Sequence, residues 1–338
     1  MKNYTVAVVG ATGVVGKEMI SMLESRKFPI GKLIPLASER SIGASITFKR
    51  QDIDVEVLNA ASFVGVDFAL FSAGGSVSAE YAPIAAAAGA VVIDNTSHFR
   101  MQPDVPLVVP EVNSHALTGH KGIIANPNCS TAQMVLILKP IHDSVGIERV
   151  IVSTYQSVSG AGKDAIHELE SQSRANLSGL NYDGKVFKSP IAFNVIPQID
   201  VFLKNGYTKE EMKLIEETRK ILEDPSIRIS ATAVRVPVFV GHSESINIQT
   251  RKPITPDEVR TLLRTAPGVT VMDNPTKGHY PTPRDLAGED NVGVGRIRKD
   301  LSIENGIELW CVGDNLRKGA ALNAVQIAEV LIGSRVPA

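Results

Sequence analysis

The 338-residue sequence predicts an α/β protein built as two domains. Three observations carry that expectation. The length is about twice that of a typical domain of roughly 150 residues. Through residues 4–128, short β-branched runs alternate with helix-like segments, the pattern of a parallel sheet buried on both faces. After the Cys129 helix the composition changes, and Ile147–Val158 alternates towards Val150, Val152, Thr154 and Gln156. The composition, 43% hydrophobic and 21% charged, supports ordinary cores without disulfides or metal. A net charge of -1 gives no reason to expect a nucleic acid or an anionic membrane as partner. Two cysteines, Cys129 and Cys311, do not make a secreted disulfide framework, so a cytoplasmic location is expected. The apolar stretch 81–93 contains Pro83 and Gly89 and is too short to span a bilayer. The apolar start at Val6–Val9 is cut by Gly10, Gly13 and Gly16 and lacks a signal-cleavage site.

Tyr4–Val9 reads as a strand and runs directly into Gly10-Ala11-Thr12-Gly13-Val14-Val15-Gly16. Glu18, Met19, Met22 and Leu23 then recur at helical spacing. Strand, glycine turn and helix form the setting of a Rossmann-type dinucleotide site. The glycines let backbone approach a pyrophosphate, and the helix start offers N–H donors. The spacing is G-x-x-G-x-x-G, and the alternative is a tight turn that binds nothing. A second strand, Leu33–Leu36, leads to Ala37-Ser38-Glu39-Arg40-Ser41. Arg40, between Ser38 and Ser41, suits the 2′-phosphate of NADP, whereas Glu39 suits a free ribose; the reading leans to NADP. Phe68–Phe71 and Val91–Asp94 are further strands, with a helix over 78–88 between them. Ser72 opens a glycine turn at a strand's carboxyl end, where cofactors bind in open sheets. Arg100 ends a polar loop, Asn95–Arg100, and either holds an anion or is an ordinary surface arginine.

Pro127 and Asn128 precede a helix whose apolar positions include Met134, Val135, Ile137 and Leu138. Cys129 therefore falls at the first turn, where free N–H groups favour thiolate over thiol. The alternative is an inert core cysteine. Ile147–Val158 reads as a strand that breaks at Ser159-Gly160, placing Gln156 near its end; an exposed strand glutamine is the other reading. A helix over 164–175 and an irregular stretch over 185–200 follow. Lys209–Leu222 is an amphipathic helix with Met212, Ile215 and Leu222 on its apolar side. On it Glu210 and Lys213 form an i, i+3 pair, usually a solvated one. Arg228–Val240 and Ser245–Thr250 read as strands flanking Gly241-His242-Ser243-Glu244. His242 is thus expected in a loop, where its near-neutral pKa would let it exchange a proton. No H-E-x-x-H or cysteine–histidine ligand spacing occurs, so no metal is expected. Strands over 292–297 and 307–312 follow, with Cys311 as core. A final helix over 318–332 is expected to pack back on the first domain.

The stretches VAVVGATGVVG, ASERS, NTSHFR, PNCST, YQSVSGAGK, PIAFNVIPQID, EEMK, RVPVFVGHSES and DNLRKGAALN, in this order, resemble aspartate-β-semialdehyde dehydrogenases along nearly the whole chain. The resemblance implies an NADP-binding domain over 1–128, completed by a helix in 314–338. It implies a catalytic and dimerisation α+β domain of the glyceraldehyde-phosphate-dehydrogenase-like type over 129–313. It further implies a homodimer that reduces L-aspartyl 4-phosphate with NADPH through a cysteine thioester, releasing phosphate, on the route to lysine, threonine, methionine and isoleucine. By position, Cys129 matches the nucleophile, His242 the acid/base, and Gln156 the residue that positions the acyl group. Arg235 matches the carboxylate-binding arginine and Glu210 the residue near the amino group. Arg100, Asn128 and Lys213 match phosphate-binding positions. Gly10, Thr12, Gly13, Val14, Val15, Gly16, Ser38, Arg40, Ser41 and Ser72 match the cofactor site. Ser159, Gly160 and Asn315 match its nicotinamide side. The alternatives are an N-acetyl-γ-glutamyl-phosphate reductase, which Glu210 disfavours because an acetamide carries no ammonium, and a dinucleotide-binding sensor without chemistry.

Overall fold

The structure, a computed structural model, describes residues 2–182 and 184–333. The described residues divide into two compact units: 2–128 together with 320–333, and the described part of 129–319. The return to the first unit thus falls later than position 314. Asp314 and Asn315 stay with the second unit because their side chains are engaged there. Asp314 caps the backbone of Leu316 and Arg317, and Asn315 accepts from Gly241. The last residues of the expected segment, 334–338, lie outside the described residues.

In the first unit the strands are β1 (Tyr4–Val9), β2 (Ile30–Ala37), β3 (Ser45–Phe48), β4 (Gln51–Asp54), β5 (Glu56–Val57), β6 (Phe68–Phe71), β7 (Val91–Asp94) and β8 (Ile123–Ala125). Six form one sheet in the order β5-β2-β1-β6-β7-β8, parallel at every pairing. Val6–Val9 are fully buried, which explains a run without polar alternation. Chain order reverses at β1, between β2 and β6, and that switch point is where open α/β sheets bind ligands. Its helices are α1 (Val14–Ser25), α2 (Gly75–Ala87) and the short α3 (Pro110–Asn113). The β3–β4 hairpin was not legible in sequence: its turn uses Lys49 and Arg50 at φ 50 and 64, without the Asn-Gly that signals such turns.

The second unit begins with α4 (Cys129–Val145) and β9 (Ile147–Gln156), followed by α5 (Lys163–Leu177) and α6 (Lys209–Ile221). Then come β10 (Arg228–Arg235), β11 (His242–Thr250), α7 (Pro256–Arg264), β12 (Val269–Val271), α8 (Pro283–Leu286), β13 (Val292–Lys299) and β14 (Gly306–Gly313). Its six-stranded mixed sheet runs β10-β9-β11-β14-β13-β12. The strand expected to reach Val240 stops at Arg235. Pro237 has no N–H to pair, and β10 has by then reached the end of its partner β9. The irregular stretch 185–200 is held by two buried side chains of α5. Glu168 accepts from the N–H groups of Lys185 and Val186 at 2.6 and 2.7 Å, and Gln172 accepts from Ile191 and Ala192 at 2.8 and 3.1 Å. Cys311 is fully buried, as expected of a core residue.

The final helix, α9 (Leu322–Leu331), belongs to the first unit. Leu322, Val325 and Ile327 enter its core, Asn323 donates to the Val108 carbonyl at 2.9 Å, and Arg26 pairs with Glu329 at 2.8 Å. The helix is shorter than 318–332 because residues Arg317–Ala321 wind as a π turn, a feature that often marks functional sites.

Gly16 packs against the turn before it: a Cβ there would lie 2.1 Å from the Gly10 carbonyl oxygen and 2.9 Å from Ala11 Cα. Gly16→Ala is therefore expected to destabilise the first unit by about 1–3 kcal/mol and to weaken dinucleotide binding. Thermal melts with and without cofactor check this; unchanged melting and affinity would mean that the turn has slack.

Candidate active site

The second unit gathers its chemistry at one end of its sheet. β9 and β10 run parallel, with Arg235 opposite Gln156 at their carboxyl ends. β11 runs the other way and starts at that same end, with His242 opposite Gly313 of β14. Cys129, half-buried, heads α4, and Gly319 lies against it: a Cβ at 319 would be 2.8 Å from Cys129 Cβ. Only glycine fits beside the thiol.

His242 corrects the expectation of a loop histidine. It is the first residue of β11 and fully buried. The glycine before it takes φ 94, which turns the chain inward instead of leaving the ring in solvent. The Ser157 N–H donates to His242 Nδ1 at 3.0 Å. An accepting Nδ1 leaves the proton of the neutral ring on Nε2. Nε2 is buried with no hydrogen-bond partner among the described residues and points to Gly160, where a Cβ would sit 3.2 Å away. Burial, reinforced by the Arg235 charge, pushes the His242 pKa down to about 3. A protonated His242 is therefore not the resting state.

This shift has a sign that can be measured. The unfolded chain protonates the ring near pH 6.5 and the folded chain only near pH 3, so protons favour unfolding across that window. The cost is absent above about pH 6.5 and reaches on the order of 2–3 kcal/mol by about pH 4.5. His242→Asn is expected to lose less melting temperature than the parent between about pH 7 and pH 4.5. Parallel curves for the two would contradict a buried neutral ring.

Gln156 and Glu210 are not the exposed residues their bland readings implied: they are 1% and 5% exposed. Gln156 donates from Nε2 to Glu210 at 3.2 Å and accepts from the Thr154 hydroxyl at 3.1 Å. Lys213 meets both Glu210 and Asp200 at 3.0 Å. Burial opposes the Lys213 charge, but these two carboxylates hold its pKa above the ordinary value. Arg235, also buried, donates to the Ser157 carbonyl at 2.6 Å. Ser159 and Asn315 share a cluster in which Asn315 accepts from Ser157 and Ser159 and donates back to Ser159 at 2.9 Å. Ser157, Asp200 and Gly319 were missed from sequence. The one available signal was that Ser157 follows Gln156 into the glycine break.

In the first unit, a cleft of about 680 Å³ opens at the carboxyl ends of β1 and β2. Gly10, Thr12, Gly13, Ser38, Arg40 and Ser72 line it, with Glu39 beside them. Ser41 joins through its hydroxyl, 3.2 Å from that of Thr12. Val14, Val15 and Gly16 form the start of α1 instead of the wall. Gly10 takes φ 86, and a Cβ there would lie 2.7 Å from the Ser72 carbonyl oxygen, so only glycine lets this turn close on Ser72. Arg100 is 7% exposed, not a surface arginine. It donates to the Asn126 and Asn95 carbonyls at 2.9 and 2.8 Å, while Asp94 organises the loop through Ser78 and Thr96. Asn128 is buried at the end of this unit. Among the described residues no cluster of His, Cys, Asp and Glu could hold a metal, and no helix is long and apolar enough to cross a membrane.

Comparison with known proteins agrees with this division. Residues 5–120 match the semialdehyde dehydrogenase NAD-binding domain, and residues 138–318 match the semialdehyde dehydrogenase dimerisation domain. The aspartate-semialdehyde dehydrogenase of Aquifex aeolicus is 57% identical over 334 residues, 98% of each chain; that of Bacillus subtilis is 54% identical over 338 residues, again 98% of each. The crystal structure of Vibrio cholerae aspartate semialdehyde dehydrogenase II complexed with ASA superposes with TM-score 0.95 at 51% identity, covering 99% of this chain and 100% of that one. The Candida albicans enzyme with NADP gives TM-score 0.76 at 27% identity, covering 98% and 99%. Fold and site therefore define an oxidoreductase that works with a nicotinamide dinucleotide. The chain belongs to the aspartate-semialdehyde dehydrogenase family.

Proposed function

We propose that the protein reduces L-aspartyl 4-phosphate to L-aspartate 4-semialdehyde with NADPH, releasing inorganic phosphate, in the biosynthesis of lysine, threonine, methionine and isoleucine. The observation that carries this reading is the convergence of Cys129, Gln156, Arg235 and His242 at one sheet end. The Cys129 thiolate attacks the acyl carbon; the C–S bond forms, the bond to phosphate oxygen breaks, and a thioester remains. NADPH, when bound, supplies the hydride that reduces this thioester. Collapse of the resulting adduct breaks the C–S bond and returns the thiolate. His242 presents its Nε2 proton to the oxyanion, a contribution typically worth about 3 kcal/mol of barrier. Gln156 orients the acyl group. Arg235 binds the substrate carboxylate with its planar fork, and Glu210 answers the ammonium. Arg100, Asn128 and Lys213 serve the phosphate. The Gly10–Gly16 turn with Ser38, Arg40 and Ser41 selects NADP, with Ser159, Gly160 and Asn315 on the nicotinamide side.

A cytoplasmic homodimer is part of this reading. Tyr155, 38% exposed, packs against Trp310 at 5.3 Å on the second unit's sheet, an apolar element suited to a second copy. The test is NADP reduction with aspartate semialdehyde, assayed with and without phosphate. The expected result is phosphate-dependent turnover with this substrate and little with N-acetyl-glutamate semialdehyde; the reverse preference would overturn the reading.

A further inference from the structure

A carboxyl group that this reaction does not use lies enclosed between α4 and the sheet. Glu244 is fully buried and follows His242 by two residues on β11, so both side chains leave the strand on one face. In the ladder it stands opposite Cys311 of β14 and Thr154 of β9. Its carboxyl faces the side chains of Gln133 and Ser130, both in the opening turns of α4. Gln133 also donates from Nε2 to the His242 carbonyl at 3.3 Å. It thus ties the helix that begins at Cys129 to the strand that begins at His242.

This enclosure is incompletely paired. Among the described residues neither Glu244 oxygen makes a hydrogen bond of good geometry, and Gln133 Oε1 makes none. An ionised carboxylate would have only the Ser130 hydroxyl and the Gln133 amide to answer its charge, whereas a neutral acid carries no charge and adds one O–H. Burial pushes the Glu244 acid well above the carboxylate range. The titratable groups around it are Cys311, itself pushed up by burial and by Glu244, His242 on the same strand, and Cys129 at the head of α4. An anion here would oppose the Cys129 thiolate.

We propose that Glu244 is a positioning residue, a neutral acid that holds the first turn of α4 through Gln133 and Ser130 and so fixes Cys129 relative to His242. The proposal rests on the reading of Cys129 as nucleophile. The experiment measures iodoacetamide alkylation of Cys129 between about pH 6 and 9, together with kcat and KM, in the full chain, Glu244→Gln and Glu244→Met. Glutamine supplies donors without a charge and is expected to keep both rates within about twofold. Methionine fills the volume without a donor and is expected to lower kcat and alkylation about tenfold or more, with KM little changed. A Met variant that matches the parent in both rates overturns the proposal. Should that variant not fold, Gln133→Met decides alongside Glu244→Gln: lost thiol reactivity in the former with retained reactivity in the latter supports the proposal, and any other pair overturns it. If Cys129 of the unaltered chain does not react, the nucleophile reading falls too; if it reacts and the Met variant reacts alike, only this inference falls.

Discussion

Cys129→Ser is expected to lower turnover by at least about a thousandfold while NADPH binding stays within about twofold of the parent. The substitution is small: serine fits the space beside Gly319, where even one added carbon would crowd position 129. What it removes is the group that a helix start can ionise, since a hydroxyl stays protonated where a thiol does not. On the proposed reading the cofactor is held by the first-unit cleft and by Ser159, Gly160 and Asn315, none of which the substitution alters. Steady-state kinetics and fluorescence titration with NADPH check both halves. Turnover within about tenfold of the parent would remove the nucleophile from the account, and joint loss of turnover and binding would signal misfolding.

Arg235→Lys is expected to raise KM for aspartate semialdehyde by about 10–100-fold, the worth of one charge-assisted pair. Lysine keeps the charge but loses the fork, and one arm of that fork is already committed to the Ser157 carbonyl at 2.6 Å. Ser157 in turn sets the His242 tautomer through its N–H, so a second, smaller effect on kcat follows. A kcat loss with KM unchanged would instead make Arg235 a support for His242 and remove it from the carboxylate site.

The local parts of this design were legible in the sequence. Strand β1, the glycine turn and α1 follow from an unbroken apolar run, three glycines and a helical period, and Cys129 sits where Pro127 and the apolar spacing place it. Phe68–Phe71 and Val91–Ile93 were readable because strands buried in a parallel sheet run apolar without alternation. What sequence could not show was set by long-range register. His242 looked like loop because glycine and polar residues surround it, yet antiparallel pairing with β14 carries it inside. Glu210 and Lys213 looked like a surface pair on α6. Gln156 and Asp200, distant in the chain, turn that pair into a network that runs from the buried Gln156 and Glu210 to the exposed Asp200. Glu244 is a charged letter in the sequence and a core residue in the fold, and no local pattern marks that difference.

The central assertion is that the acyl group travels on the sulfur of residue 129, and single-turnover mass spectrometry reads it directly. Mixing the protein with aspartate semialdehyde and NADP in the absence of phosphate should form NADPH and leave an aspartyl group on the peptide that carries Cys129, released on adding phosphate. NADPH formed at the same rate with that peptide unmodified would contradict the account.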